Sequence, residues 1–148
     1  MKLINFYYAA HWCYKKHIPI MPKTLELFIF IFFKAVIPYK TSIGKNCKLA
    51  HGGNGIVIHP DVQIGDNVII CHQVTIGGRG RWPNVPKIGN DVYIAPGAKI
   101  LGPIKIGDNS VIGANSVVCT SVPARCVVAG IPGRILRRNV DSHDVEVW

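Results

Sequence analysis

The sequence predicts an all-β fold, a parallel β-helix after a short helical segment, because an aliphatic residue returns at every sixth position over most of the chain. An α-helix repeats near 3.6 residues and a simple strand near two, so neither explains a period of six. One hexad supplies a short strand and a turn, and three hexads close one triangular coil. The anchor positions of the repeat are Leu49, Ile58, Ile64, Ile70, Ile76, Ile88, Ile94, Ile100, Ile106, Ile112 and Val118.

Two glycine-rich interruptions break the repeat. Leu49 and Ile58 are nine positions apart, so three extra residues lie within the segment HGGNG at 51–55. Ile76 and Ile88 are twelve apart, and residues 77–87 between them read as an extruded loop. Because loops that leave a rigid scaffold commonly carry function, we expect the site at these interruptions.

The repeat does not cover the two ends of the chain. Residues 1–40 are predicted to be helical, residues 41–138 to form the β-helix domain, and residues 139–148 to be a polar, frayed tail. Proline separates two helices within the first segment, with Thr24 expected to cap the second and Pro38 to end it.

The apolar run at 25–36 has about a dozen residues, short of the roughly 20 needed to span a bilayer. We expect it to pack against the β-helix. Peripheral membrane contact is the alternative, because four lysines lie nearby. They are Lys15, Lys16, Lys23 and Lys34.

The bulk composition suggests one domain with an anionic partner. The chain has 148 residues and a formal charge of +9, which suits a phosphorylated cofactor, an acidic sugar or an anionic membrane surface. The basic residues are scattered without an aromatic-basic module, so nucleic acid is not expected. Five cysteines without a Cys-x-x-Cys pair indicate reduced thiols. We therefore expect a cytoplasmic protein, with membrane association left open.

Counting hexads predicts a column of polar side chains. Ile70 should lie above Leu49 in the next coil, so His51 and His72, each two positions after these anchors, should stack at one corner. The same count extends the column to Asn90 and Asp108 beside the extruded loop, although both residue types are common at corners for structural reasons alone. His59 follows its anchor by one position, and a structural role is favoured for it.

The stretch from His51 to Arg137 resembles the hexapeptide-repeat acyltransferases, within them the serine O-acetyltransferase branch, and is close to short relatives from bacterial polysaccharide clusters. The resemblance rests on VTIGG at 74–78, GAKILG at 97–102 and AGIPGRI at 129–135, in that order. It implies a left-handed β-helix and a homotrimer that binds acetyl-CoA between subunits. It also implies acetyl transfer to a hydroxyl of a small acceptor, either a sugar of a polysaccharide precursor or L-serine, with no metal.

The resemblance also implies roles for individual residues. His51 is the expected general base, since imidazole is poised near neutrality to take an alcohol proton, and His72 would support it or contact the acceptor. Backbone N–H groups at Gly77 and Gly78 are expected to stabilise the oxyanion. The remaining cofactor-binding residues predicted are Ala95, Ala98 and Ala114 for pantetheine, and Arg134 and Arg137 for the CoA phosphates.

Several positions depart from the serine enzymes. Ala50 stands where they carry an Asp before the catalytic His, and Val36 where a second Asp orients the imidazole. Asn84 and Val85 replace the Arg-His pair that holds the amino-acid acceptor. We therefore favour a sugar slightly over serine. Another group must orient His51, either a backbone carbonyl of the GGNG bend or a residue across the trimer interface.

Two other classes of function share this fold. A zinc lyase similar to the γ-type carbonic anhydrases would need three interface histidines, two of them five apart, whereas the repeat here spaces its histidines by 8 and 13. A non-catalytic scaffold would have no need of HGGNG, the extruded loop and the basic terminus together. Thiol release from acetyl-CoA, measured with several acceptors and with a chelator, separates the three classes.

Overall fold

The computed structural model describes residues 2–80 and 84–142, and within them the chain is a parallel β-helix with two helices at its N-terminal end. The helices are α1 (Leu3–Lys15) and α2 (Met21–Phe33), and a 3₁₀ turn covers Ala50–Gly53. The strands are β1 (Ser42–Ile43), β2 (Lys48–Leu49), β3 (Val57–Ile58), β4 (Gln63–Ile64), β5 (Ile69–Ile70), β6 (Thr75–Gly77), β7 (Lys87–Ile88), β8 (Tyr93–Ile94), β9 (Lys99–Leu101), β10 (Lys105–Ile106), β11 (Val111–Ile112), β12 (Val117–Val118), β13 (Cys126–Ala129) and β14 (Arg134–Arg138).

The strands form three faces, and each coil gives one strand to each face. Face 1 is β1-β4-β7-β10, face 2 is β2-β5-β8-β11-β13 with β14 added, and face 3 is β3-β6-β9-β12. Neighbours pair in parallel, except that β14 runs antiparallel to β13 and closes the stack. The predicted β-helix is confirmed, with four complete coils.

The core consists of the hexad anchors stacked on one another. Parallel pairing places Ile70 above Leu49 and Ile94 above Ile70, and the same holds on the other faces. Side chains that point inward from each strand lose contact with water, which is the main driving force for this fold. Six anchors are 0% exposed: Ile70, Ile76, Ile94, Ile100, Ile112 and Val118.

Helix α1 covers the open end of the first coil. The Tyr7 hydroxyl donates to the Thr41 carbonyl and accepts the Ile43 N–H at 3.2 Å. The Tyr8 hydroxyl donates to the Gly44 carbonyl. The bonds of Tyr7 are buried, so without its hydroxyl the Thr41 carbonyl and the Ile43 N–H would be left without a partner. The helical segment therefore packs on the end of the stack, and Leu3, Ile4 and Tyr7 join its core.

The ends of α2 differ from those predicted. The helix begins at Met21, with Pro22 in its first turn, where a fixed φ and a missing N–H are tolerated. Thr24 is therefore not the cap: it lies inside the helix and its hydroxyl donates to the Met21 carbonyl at 2.9 Å. The helix ends at Phe33 because Lys34 adopts a left-handed conformation, before Pro38 is reached. In residues 2–80 and 84–142, no helix is both long and apolar enough to cross a membrane.

Tyr7→Phe is expected to lower the free energy of unfolding by about 1–3 kcal/mol, because the Thr41 carbonyl and the Ile43 N–H lose their buried partner. Burial also raises the pKa of the Tyr7 hydroxyl above its usual value. The neutral phenol therefore stabilises the fold fully below about pH 10, and this contribution falls as pH rises above it, where the unfolded chain ionises first.

Chemical denaturation at neutral pH and above about pH 10 measures both effects. Tyr14→Phe is the matched control, since Tyr14 is 41% exposed. Equal stabilities of the Tyr7 variant and the control would contradict the capping role.

Candidate active site

The first interruption presents His51 at the corner between faces 2 and 3. The three extra residues form the 3₁₀ turn Ala50–Gly53, in which His51, Gly52 and Gly53 have φ values of 52°, 68° and 73°. This left-handed run is accessible to glycine but uncommon for histidine. A Cβ on Gly53 would lie 2.7 Å from Cδ1 of Leu3, so the bend packs tightly against α1. The side chain of His51 is left exposed.

His51 and His72 stack at this corner as predicted. The pairing of Leu49 with Ile70 brings the two imidazoles to a centroid distance of 4.8 Å, with an interplanar angle of 82°. The ring of His72 is half-buried, and its buried Nδ1 has no hydrogen-bond partner. Orphaned buried polar atoms are rare and require an explanation, such as a ligand that completes them.

The upper part of the predicted column was wrong. Ile70 pairs with Ile94, whereas Ile88 lies above Ile64 on face 1. The reason is that the twelve residues from Ile76 to Ile88 make one strand-to-strand step from face 3 to face 1, six more than a hexad. The predicted loop 77–87 lies in this step, and its residues 81–83 are outside the described part of the chain. Two positions beyond the true anchors Ile94 and Ile112 stand Pro96 and Ala114. The corner edge therefore runs His51, His72, Pro96, Ala114.

Asn90 and Asp108 lie instead at the corner between faces 1 and 2, above Asp66. The Asp66 N–H donates to the Asn90 side-chain oxygen at 2.8 Å, and the Asn90 N–H donates to Asp108 Oδ1 at 2.7 Å. These side chains satisfy backbone donors from coil to coil. They hold the corner together, which explains them without a catalytic role.

Gly77 and Gly78 lie at the third corner, between faces 3 and 1. Gly77 pairs with Leu101, and a Cβ on it would lie 3.8 Å from the Cβ of His59. Within one chain, the two glycines are therefore beside His59 and not beside the His51–His72 pair. An oxyanion role with His51 would require the corner of a neighbouring copy.

His59 is held by its own turn. Its Nδ1 accepts the Asp61 N–H at 3.2 Å and lies 3.7 Å from the Asp61 carboxylate. In the neutral ring this use of the Nδ1 lone pair places the proton on Nε2. The ring is then a donor on its open side, which is unsuited to accept a proton from an alcohol.

The predicted pantetheine residues differ in position. Ala114 is exposed on the same edge as the two histidines. Ala95 is 3% exposed and Ala98 0%, so neither methyl group lines a surface groove. Their backbones are also occupied, since the Ala95 N–H donates to the Ile112 carbonyl and the Ala98 carbonyl accepts the Thr75 N–H.

The two predicted arginines lie on β14, which covers β13. Arg134 pairs with Ala129 and Arg137 with Val127, and both arginines are exposed. Arg134 is at the end of β14 next to the turn that follows β13, so it stands at the top of the His51 edge. Coils are about 4.8 Å apart, and three steps separate His51 from Ala114 by roughly 14 Å.

Three residues near this edge, Lys99, Cys71 and Tyr93, make contacts that no sequence motif indicates. The ammonium of Lys99 donates to the Gln73 carbonyl at 2.6 Å, which brings a cation beside His72. Cys71 Sγ lies 3.2 Å from the Tyr93 hydroxyl, and burial, together with this contact, raises the pKa of Tyr93 to about 12. Only the correct coil register could have indicated these contacts.

Neither of the two positions where the resemblance implies an acidic partner for His51 provides a carboxylate. Val36 forms a parallel bridge with Val57, and Ala50 begins the 3₁₀ turn. Across residues 2–80 and 84–142, the His51 ring lies against the His72 ring, and no carboxylate forms an ion pair with it.

Known proteins with a similar sequence and fold share the six-residue repeat. The family described as bacterial transferase hexapeptide (six repeats) matches residues 86–120. The chain belongs to the hexapeptide-repeat family. Among its relatives, the serine acetyltransferase of Synechococcus elongatus is 38% identical over 88% of this chain and 54% of its own length. That of Staphylococcus xylosus is 42% identical over 88% of this chain and 61% of its own length.

Solved serine acetyltransferases share the fold of this hexapeptide-repeat chain. The Brucella abortus enzyme in complex with coenzyme A has a TM-score of 0.87 and 36% identity, over 93% of this chain and 56% of its own. The soybean enzyme complexed with serine has a TM-score of 0.83 and 36% identity, over 90% of this chain and 56% of its own. The chain thus spans little more than half the length of these relatives.

Proposed function

We propose that this protein is an acetyl-CoA-dependent O-acetyltransferase. The observation that carries the proposal is the edge between faces 2 and 3, which has paired imidazoles at one end and Arg134 at the other. Acetyl-CoA suits this arrangement, because its thioester would lie at the imidazoles and its phosphates at Arg134. The acetyltransferase relatives favour this reaction over a zinc lyase or a scaffold.

In this proposal the neutral imidazole of His51 accepts the hydroxyl proton while the acceptor oxygen attacks the acetyl carbonyl. The C–O bond forms, the C–S bond breaks, and the same proton passes to the departing thiolate, so the step balances without a covalent enzyme intermediate. The half-buried ring of His72 lies edge-to-face with that of His51 at a centroid distance of 4.8 Å, which suits it to support the His51 ring.

The donor is expected to lie along the same edge. Ala114 leaves room for a narrow pantetheine arm, and Lys99 adds a positive charge close to the histidines. At the far end the guanidinium groups of Arg134 and Arg137 suit bidentate contacts with phosphate oxygens.

The homotrimer that the resemblance implies is part of the proposal. A neighbouring copy would bring a second corner against the His51 edge, and with it backbone N–H groups such as those of Gly77 and Gly78. It would also offer a group to orient the His51 ring. Light scattering should give three times the 16.3 kDa chain mass, whereas a monomer at micromolar concentration would contradict this part.

L-serine is the first acceptor proposed. It rests on the serine acetyltransferases that this chain resembles, one of them solved with serine. The chain covers little more than half of those enzymes. Val85 is half-buried and packs against the core, at a position where the resemblance implies a residue that holds the amino-acid acceptor. Binding of the amino acid would therefore need different contacts.

A sugar hydroxyl of a polysaccharide precursor is the second candidate, and one observation favours it. A cavity of about 810 Å³ is lined by Ala50 and Gly52, the two neighbours of His51 in the chain, and so lies next to the bend that carries this histidine. It is far larger than serine needs. Its lining includes amines, amides and a hydroxyl that suit an anionic, hydroxyl-rich molecule, namely those of Lys2, Asn5, Tyr8, Asn46 and Lys48.

The test is thiol release from acetyl-CoA with L-serine and with a panel of acidic and nucleotide-linked sugars. Acceptor-dependent release that a chelator does not reduce is expected. Lys48→Ala should raise KM for a sugar acceptor and leave that for L-serine unchanged, whereas Lys87→Ala, an exposed lysine on face 1, is the control. The function is contradicted if no hydroxyl acceptor stimulates release.

A further inference from the structure

One face of α2 is apolar, exposed and unused by the fold. Leu27, Phe30 and Ile31 form this apolar stripe, with exposed fractions of 57%, 54% and 49%. Lys23 lies four positions before Leu27 on the same helix face, and Lys34 directly follows the last residue of the helix, so a lysine stands near each end of the stripe. Monomeric soluble proteins seldom expose contiguous groups of this kind without a function.

Other residues of α2 hold it in place. Ile29 is 1% exposed, and Phe28 and Phe33 contact Phe6 of α1 at centroid distances of 5.0 and 5.9 Å. These contacts lie away from the apolar stripe. Packing of α2 on the rest of the chain therefore does not explain the stripe.

The surroundings of the stripe are positively charged. The first 40 residues contain six lysines and a single acidic residue, Glu26. The Glu26 carboxylate is half-buried and accepts the Tyr39 N–H at 3.2 Å, so it is directed toward the chain itself. An apolar stripe bordered by lysines is complementary to a surface that has an apolar layer beneath a layer of anionic groups.

We propose that α2 docks in the headgroup region of an anionic lipid bilayer. Its 13 residues make a helix of about 20 Å, which would lie in the plane of the interface with the stripe in the acyl boundary. Lys23 and Lys34 then reach anionic headgroups from both ends of the stripe. A second copy of this chain suits the stripe less well, because pairing two stripes would bring the lysines at their ends, Lys23 and Lys34, close to those of the other copy.

The test is co-sedimentation with vesicles of phosphatidylcholine that contain phosphatidylglycerol, compared with vesicles of phosphatidylcholine alone. Binding is expected to the anionic vesicles and to weaken at high salt. Phe30→Gln combined with Ile31→Gln should weaken it roughly tenfold or more, since two large side chains no longer bury their apolar surface. Leu136→Gln, an equally exposed apolar position on β14, is the control and should bind as wild type does.

Sedimentation velocity without lipid separates a protein partner from a membrane. The Phe30/Ile31 variant should keep the oligomeric state and circular dichroism of the wild-type chain. A smaller oligomer would overturn the proposal in favour of a contact between copies. Equal binding of the variant and the wild type to anionic vesicles, or no binding by the wild type, would also overturn it.

Discussion

Replacing Arg134 and Arg137 together with alanine is expected to raise KM for acetyl-CoA by roughly a hundredfold or more, with a smaller effect on kcat. Hydrogen bonds to charged groups contribute roughly 1.5–3 kcal/mol each, and about 1.4 kcal/mol corresponds to a factor of ten. A phosphate far from the reacting carbonyl is bound equally in the ground and transition states, so its loss appears in KM. Steady-state kinetics with varied acetyl-CoA measure the effect.

The neighbouring Arg138 gives the matched control, since it is exposed on the same strand. Arg138→Ala should bind CoA nearly as wild type does. A truncated pantetheine donor lacks the phosphates, so the double variant should handle it as well as the wild type. An equally large loss with the truncated donor would show that the arginines act on something other than phosphate.

The sequence predicted the β-helix well because the hexad is a direct consequence of coil geometry. The nine-residue gap after Leu49 also gave the correct stacking of His51 on His72, since the extra residues form a bend within one corner. The gap before Ile88, in contrast, led to a wrong stacking of the residues that follow it. Twelve residues fit two hexads or one hexad with a loop, and the periodicity is the same in both cases, so the column above His72 was assigned to the wrong corner.

Side-chain direction was harder to predict than position along the chain. Ala98 matched a family motif, yet its methyl group points into the core. The residue four positions after a hexad anchor also faces inward, and Ala98 stands four positions after the anchor Ile94. Thr24 matched a cap signal, but Pro22 already fits the first helical turn and moves the start of the helix forward. In both cases the local signal was real and the surrounding geometry decided the outcome.

The resemblance indicated His51, whereas the contacts of Lys99 and Tyr93 needed coordinates. Lys99 reaches Gln73, and Tyr93 reaches Cys71, across neighbouring coils. Neither pair has a characteristic spacing in the sequence, because the extruded loop adds an unpredictable number of residues between coils.

His51→Ala is expected to lower kcat by roughly 10²–10⁴, the usual contribution of a general base, while KM for acetyl-CoA stays near its wild-type value. Three observations converge on His51. It occupies the left-handed bend at the first interruption, its ring is exposed, and it lies edge-to-face with His72 at the end of the proposed donor edge. His72→Ala should reduce the rate less, through loss of an acceptor contact or of support for the His51 ring.

His59 offers an internal control for this assignment. Its Nδ1 is occupied by the Asp61 N–H, and its corner is not that of the paired imidazoles. His59→Ala should therefore keep most of the wild-type kcat, and an alanine at any of the three histidines should leave the β-helix folded, since none belongs to the aliphatic core.

The most direct measurement is the kcat of His51→Ala, His72→Ala and His59→Ala, taken side by side in the thiol-release assay at saturating acetyl-CoA. The account predicts that His51→Ala loses the most activity, by roughly a hundredfold or more, and that His59→Ala stays close to the wild type. If His51→Ala keeps more than about a tenth of the wild-type kcat while another of the three loses it, the base is not His51.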